Sequence, residues 1–145
     1  MGKRGDEFKV LHASRICWFL AGLDAFLGGV AMLAPRFVMK LFSPGSKGEE
    51  VPLIRRTAAL WLFFIPFQVW GALRTRNPLA LRAVSLLRFQ EVIADPVWLA
   101  AGKSELGRFG WLALGIAPSI NFTAGFYLWM LARKLEKKPL MGSSG

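Results

Sequence analysis

Long apolar runs separated by short clusters of charge set the rhythm of this chain. Residues 16–34 are apolar apart from Asp24, residues 57–73 carry no charge, and residues 109–131 again carry none. A further run, residues 79–101, is apolar but holds Arg82, Arg88, Glu91 and Asp95. A helix rises about 1.5 Å per residue, so about 20 residues cross a ~30 Å hydrocarbon core. Each run is therefore read as a membrane-spanning helix. If residues 79–101 were not one, the connector from Arg74 to Arg108 would have to hide Val84, Leu86, Leu87, Val97, Trp98 and Leu99 elsewhere. The pattern predicts an all-α bundle of four transmembrane helices.

The connector after the first span has a pattern of its own. Residues 36–42 place apolar side chains on one side of a short helix, and Pro44-Gly45 ends it. Such a helix can lie along the membrane interface with its apolar face down; an ordinary loop with hydrophobic anchors fits the same residues. Pro66, Pro96 and Pro118 fall inside three of the spans, where each removes a helix hydrogen bond, and kinks are expected there. Asp95, directly before Pro96, is biased away from helical backbone. Pro35-Arg36 stands where a signal peptide would need small residues, so the first helix is read as retained. Residues 1–140 are taken as one transmembrane domain, and residues 141–145 as a leftover of recombinant expression.

Composition sharpens this picture. The 145 residues are 54% hydrophobic with a formal net charge of +10, and the mean hydropathy is +0.39. A disordered chain pairs net charge with low hydrophobicity, so disorder is excluded. The single cysteine, Cys17, excludes a disulfide framework, and with the single histidine, His12, it makes no metal site. No metal and no cofactor are expected. Basic clusters such as Arg133-Lys134 and Lys137-Lys138 sit at helix ends, where they fix topology and meet anionic lipid headgroups. Nearly all the aromatics lie within or beside the spans, with Trp18, Trp61, Trp98, Trp111 and Trp129 read as an interfacial belt. That arrangement argues against nucleic acid as a partner. With both termini on one side, that side carries ten Lys and Arg against seven opposite. The termini are thus expected in the cytoplasm.

The informative residues are polar ones at bilayer depth. Ionisable groups there cost roughly 2.5–3.5 kcal/mol each on insertion scales and usually face a bundle interior or a cavity. Counted from the span ends, Asp24, Arg88, Asn121 and Glu91 fall within a slab of roughly 6 Å near the midplane. Gln68 lies nearer the cytoplasmic side and Asp95 nearer the outer one. Arg88, Glu91, Asp95 and Trp98 form one helical stripe, and Asp24 shares its face with the small residues Cys17, Ala21, Gly28 and Ala31. Arg88 is placed to pair with Glu91 at i, i+3. Glu91 and Asp95, at i, i+4, are like charges on one face, so one of them is expected to hold a proton.

A protonated acid beside an ionised one is an acid/base pair suited to isomerisation, cyclisation or epoxide opening in an apolar molecule. Glu91, Asp95 and Asp24 are the catalytic candidates. Arg88, Gln68, Asn121, Trp98 and Trp61 are the candidates for holding the substrate. The same residues also fit a register-fixing ion network, a small accessory subunit of a larger membrane complex, a non-enzymatic binder of lipophilic ligands, or a proton-coupled transporter working as a homo-oligomer.

Asp24 in the first span, Glu91 in the third and Asn121 in the fourth resemble the emopamil-binding (EXPERA) group of four-helix membrane proteins. That resemblance implies a carboxylate-lined intramembrane cavity for terpenoid or sterol-like molecules and, in one branch, sterol isomerase activity. The chain departs from the isomerase pattern where a histidine of the second span is expected, since Gln68 is the only strongly polar residue there. The length and layout also resemble small DoxX-like membrane proteins.

Overall fold

A computed structural model describes residues 2–46, 50–101 and 105–137. These residues form helices and no strand: α1 (Gly2–Leu33), α2 (Pro35–Phe42), α3 (Val51–Leu73), α4 (Pro78–Ala101) and α5 (Arg108–Glu136). Residues 141–145, and Lys47, Lys103 and Lys138 of the charge count, lie outside the described residues.

Local chemistry sets the helix boundaries. Pro35 opens α2 and Pro78 opens α4, positions where a missing N–H costs nothing because the first turn has no partner for it. Asn77 caps α4 by accepting the Leu79 N–H on its side-chain oxygen at 2.9 Å. α2 turns Pro35 and Met39 inward and leaves Arg36 and Lys40 exposed, so of the two readings the sequence leaves open the segment takes the helix and not the loop. Two helices begin earlier than hydropathy suggests. α3 starts at Val51 rather than residue 57, because Arg55 and Arg56 point outward and need not be buried. α1 likewise starts at Gly2 rather than residue 16. Pro66, Pro96 and Pro118 sit inside α3, α4 and α5, and Asp95 stays helical despite the proline that follows it.

The helices pack as two pairs, α1 against α3 and α4 against α5. The α3/α4 seam between the pairs is thinner, and the α1/α5 seam thinner still. Close approach depends on small residues. A Cβ on Gly71 of α3 would meet Val84 of α4 at 2.8 Å and Cys17 of α1 at 3.2 Å. A Cβ on Gly110 would lie 2.5 Å from the Phe42 carbonyl oxygen, so α5 can pass α2 only without a side chain there. Hydroxyl groups join each pair: Ser14 donates to the Ala72 carbonyl at 3.0 Å, and Ser85 to the Gly125 carbonyl at 2.6 Å.

The interior has layers. One apolar cluster, around Cys17, Leu20, Leu81, Val84 and Leu128, fills the half nearer the chain termini. A smaller one, around Ala31, Met39, Ile54 and Ala58, fills the half beside α2. Between them lies a polar layer containing Asp24, Gln68 and Arg88, all essentially buried. The outside is the reverse: Phe26, Phe63, Ile93, Val97 and Leu112 each show more than half of their surface. Two helices, α1 over Glu7–Leu33 and α5 over Arg108–Glu136, are long and apolar enough to cross a membrane. At most 33% of either apolar stretch is buried inside the molecule.

Candidate functional site

Each long helix contributes one residue to the polar layer: Asp24 from α1, Gln68 from α3, Arg88 from α4 and Asn121 from α5. Of the stripe expected on α4, Arg88, Glu91 and Asp95 are buried and Trp98 is half-buried; Ala80, Leu81, Val84 and Ser85 extend the buried face. On α1 the small-residue face expected to carry Asp24 is likewise the buried one.

Arg88 is the hub. Its Nη2 donates to Asp24 Oδ2, with the two side chains only 3% and 4% exposed. Its Nη1 reaches Asn121 Oδ1 at 3.3 Å, and the guanidinium lies 5.6 Å from the centre of the Phe64 ring. Gln68 Nε2 donates to the same Asp24 oxygen at 2.6 Å. The expected i, i+3 pairing of Arg88 with Glu91 is therefore not the one formed. Asp24, facing Arg88 from the opposite helix pair, takes the guanidinium directly, while Glu91 is turned toward α3. Two buried atoms of this layer, Gln68 Oε1 and Arg88 Nε, have no hydrogen-bond partner.

Glu91 and Asp95 sit one and two turns further along α4, each with a single neutral donor. Trp61 Nε1 donates to Glu91 Oε2 at 3.3 Å. Asn121 Nδ2 lies 3.4 Å from Asp95 Oδ2. A cavity of about 110 Å³ lies between this pair and the Arg88 layer, lined among others by Asp24, Trp61, Arg88, Ala117 and Asn121. On its far side, Trp61, Glu91 and Asp95 also line a cleft of about 330 Å³ between α3 and α4. Its walls are mostly apolar, with Leu53, Ile54, Leu60, Ala94 and Val97 beside Trp98. The cleft opens sideways along the thin α3/α4 seam, where Leu53 and Val97 are exposed.

The α2 side of the cleft carries Glu50. The Ser46 hydroxyl donates to this carboxylate and holds it below the usual carboxylate range, so Glu50 stays ionised in neutral solution. Trp98 is stacked on Phe42 at 6.5 Å and closes the same end. Trp61, expected in an interfacial belt, is partly buried. Because α3 starts at Val51, the indole lies well inside the helix and turns toward Glu91. Trp18 and Trp111 are exposed.

Of the sequence candidates, Glu91, Asp95, Trp61 and Trp98 line the cleft, while Asn121 joins both carboxylate environments. Asp24, Arg88 and Gln68 form the clamp behind it, and Gln68 lines neither space. Sequence reasoning missed Phe64, the ring beneath Arg88, because one phenylalanine in an apolar run carries no signal. It also missed Glu50 and Thr57 at the cleft, where the early start of α3 was the missing information.

No family model matches the chain, and neither a curated protein nor a solved structure resembles it significantly.

Proposed function

We propose that the chain is a four-span membrane protein, built from α1, α3, α4 and α5, that acts as an intramembrane enzyme on a hydrophobic small molecule. The carrying observation is the placement of Glu91 and Asp95: both buried, both facing an apolar cleft that opens sideways, and neither held by Arg88, which Asp24 occupies. The inverted distribution of polarity supports the membrane setting, since a water-soluble bundle would bury Phe63, Ile93 and Leu112 rather than Arg88 and Gln68. Arg88, Glu91 and Asp95 of α4 then face the bundle interior, as intramembrane ionisable groups do, while Arg82 near the start of the helix pairs with Glu136 at the surface. In this reading α2 lies along the interface, and both termini are cytoplasmic by the balance of basic residues.

The lateral opening fits a molecule that arrives from the lipid phase. A volume of about 330 Å³ is near the lower end of the roughly 300–1,000 Å³ typical of small-molecule sites. One apolar ring system fits inside, with the remainder of a terpenoid or sterol-like body left in the bilayer. Trp61 and Trp98 supply flat apolar walls, and the Asn121 amide lines the smaller adjoining cavity beside Asp95. One carboxyl group delivers a proton to a double bond while the other carboxylate withdraws one from a neighbouring carbon. Atoms and electrons balance, so such an isomerisation consumes no co-reactant. The Asp24–Arg88–Gln68 clamp holds α4 in register and leaves the acid/base pair free. Asp24, Glu91 and Asn121, which carry the likeness to the emopamil-binding group, fall on both sides of this division.

Incubating a membrane-lipid extract with and without the purified protein, followed by chromatographic analysis of apolar products, tests the enzymatic reading. New isomers that grow with protein concentration are expected. An unchanged product profile together with a retained apolar molecule would leave a binding protein using the same cleft.

A further inference from the structure

A second groove, of about 490 Å³, lies on the opposite seam between α1 and α5. Its walls are Ile16, Phe19 and Leu20 of α1 with Ile120 and Ala124 of α5, and His12 and Tyr127 close the end nearer the termini. There His12 meets the Tyr127 ring edge-on at 5.7 Å, and the Tyr127 hydroxyl donates to the Lys9 carbonyl at 3.3 Å. The groove is mostly apolar, with Ser119 and Thr123 also among its walls, but basic at this end. Lys9 lies one turn beyond His12, and Lys134 continues the α5 stripe two turns beyond Tyr127. Arg15 lies one turn from His12 in the other direction along α1. All three are exposed, and none forms an ion pair among the described residues.

We infer that this seam is a binding site for one anionic phospholipid, with an acyl chain in the groove and the phosphate between Lys9 and Lys134. Charge complementarity selects this occupant. Basic pockets between spans on the cytoplasmic side attract anionic headgroups, and an uncharged partner would leave the lysines unanswered. The groove is also formed by the two helices that are long and apolar enough to cross a membrane, so its length runs along the acyl region. The inference rests on the membrane-spanning reading of α1 and α5. It is independent of the chemistry assigned to Glu91 and Asp95.

Native mass spectrometry of the detergent-solubilised full chain, titrated with dioleoyl phosphatidylglycerol or dioleoyl phosphatidylcholine, tests it. One phosphatidylglycerol should be retained in preference to phosphatidylcholine. Each lysine contributes about fivefold, so K9Q/K134Q should weaken phosphatidylglycerol by about 25-fold and leave phosphatidylcholine unchanged. Thr123→Trp, which fills the groove from an exposed position, should weaken both lipids. Equal retention of the two lipids by the unaltered chain, or a preference that survives K9Q/K134Q, would overturn the site. A carbonate wash of membranes separates this outcome from failure of the membrane reading: a chain that resists extraction yet shows no preference lacks only the lipid site.

Discussion

Arg88 of α4 and Asp24 of α1 form a buried ion pair between helices that belong to different packing pairs. α1 packs mainly on α3, and α4 mainly on α5, so this contact joins the two halves of the bundle where apolar packing is thin. Gln68 and Asn121 extend it to the other two long helices. A buried pair of this kind adds little net stability over an apolar substitute, but removing one partner leaves the other charge unpaired.

Asp24→Asn and Arg88→Met should each lower stability by roughly 3–5 kcal/mol, the range for broken buried pairs. The double variant should recover much of that loss, because no charge is then stranded. Thermal unfolding in detergent measures all three. Additive losses in the double variant would mean that the two residues do not act as a pair.

Close helix approach makes a sharper packing prediction. Gly110→Ala should destabilise by about 1–3 kcal/mol, because its Cβ would lie 2.5 Å from the Phe42 carbonyl oxygen. Gly115→Ala has no atom within 4 Å of the added carbon and should stabilise α5 by up to about 1 kcal/mol. The same unfolding measurement distinguishes them, and equal effects would contradict the packing of α2 against α5.

The topology can be read directly. In a Cys17→Ala background, cysteines at Arg76 and Glu105, on opposite ends of α4, should label with a membrane-impermeant reagent from opposite faces. Labelling from one face would show that α4, with its Arg88, Glu91 and Asp95, does not cross.

Helical structure was largely legible in the sequence, because apolar runs and their proline and glycine borders are local signals. The short helix at residues 36–42 was only partly legible: its apolar face repeats within two turns, but the same residues also fit an ordinary loop. Helix starts were not, since Arg55 and Arg56 read as a barrier until their outward direction is known. The site was legible as a set of residues but not as pairs. Spacing along α4 offers Glu91 as the nearest acid to Arg88, and nothing in one chain's periodicity says that Asp24 lies closer across the bundle. A carboxylate-lined cavity was expected, but its place was beyond reach, because the cleft arises from the thinness of the α3/α4 seam.

Filling the cleft without touching its carboxylates separates ligand access from chemistry. Ala94 is exposed on the cleft wall, so Ala94→Phe should leave thermal stability within about 0.5 kcal/mol of the parent chain, as surface substitutions do. Apolar-ligand binding should fall roughly tenfold or more, equivalent to about 1.4 kcal/mol of lost contact. Unaltered binding would move the ligand to another part of the molecule.

The central claim is that Glu91 and Asp95 carry the chemistry while Asp24 and Arg88 carry the register. The amide variants Glu91→Gln and Asp95→Asn keep side-chain shape and acceptor oxygens but abolish acid/base exchange. Thermal unfolding of each variant, measured beside Asp24→Asn and paired with conversion of the apolar substrate pool, tests the claim most directly. The amides at positions 91 and 95 should unfold close to the parent temperature and lose conversion, against an Asp24→Asn chain that unfolds well below it. If Glu91→Gln and Asp95→Asn lose as much stability as Asp24→Asn, and Arg88→Met restores it, the three acids form one structural network and the catalytic assignment is wrong.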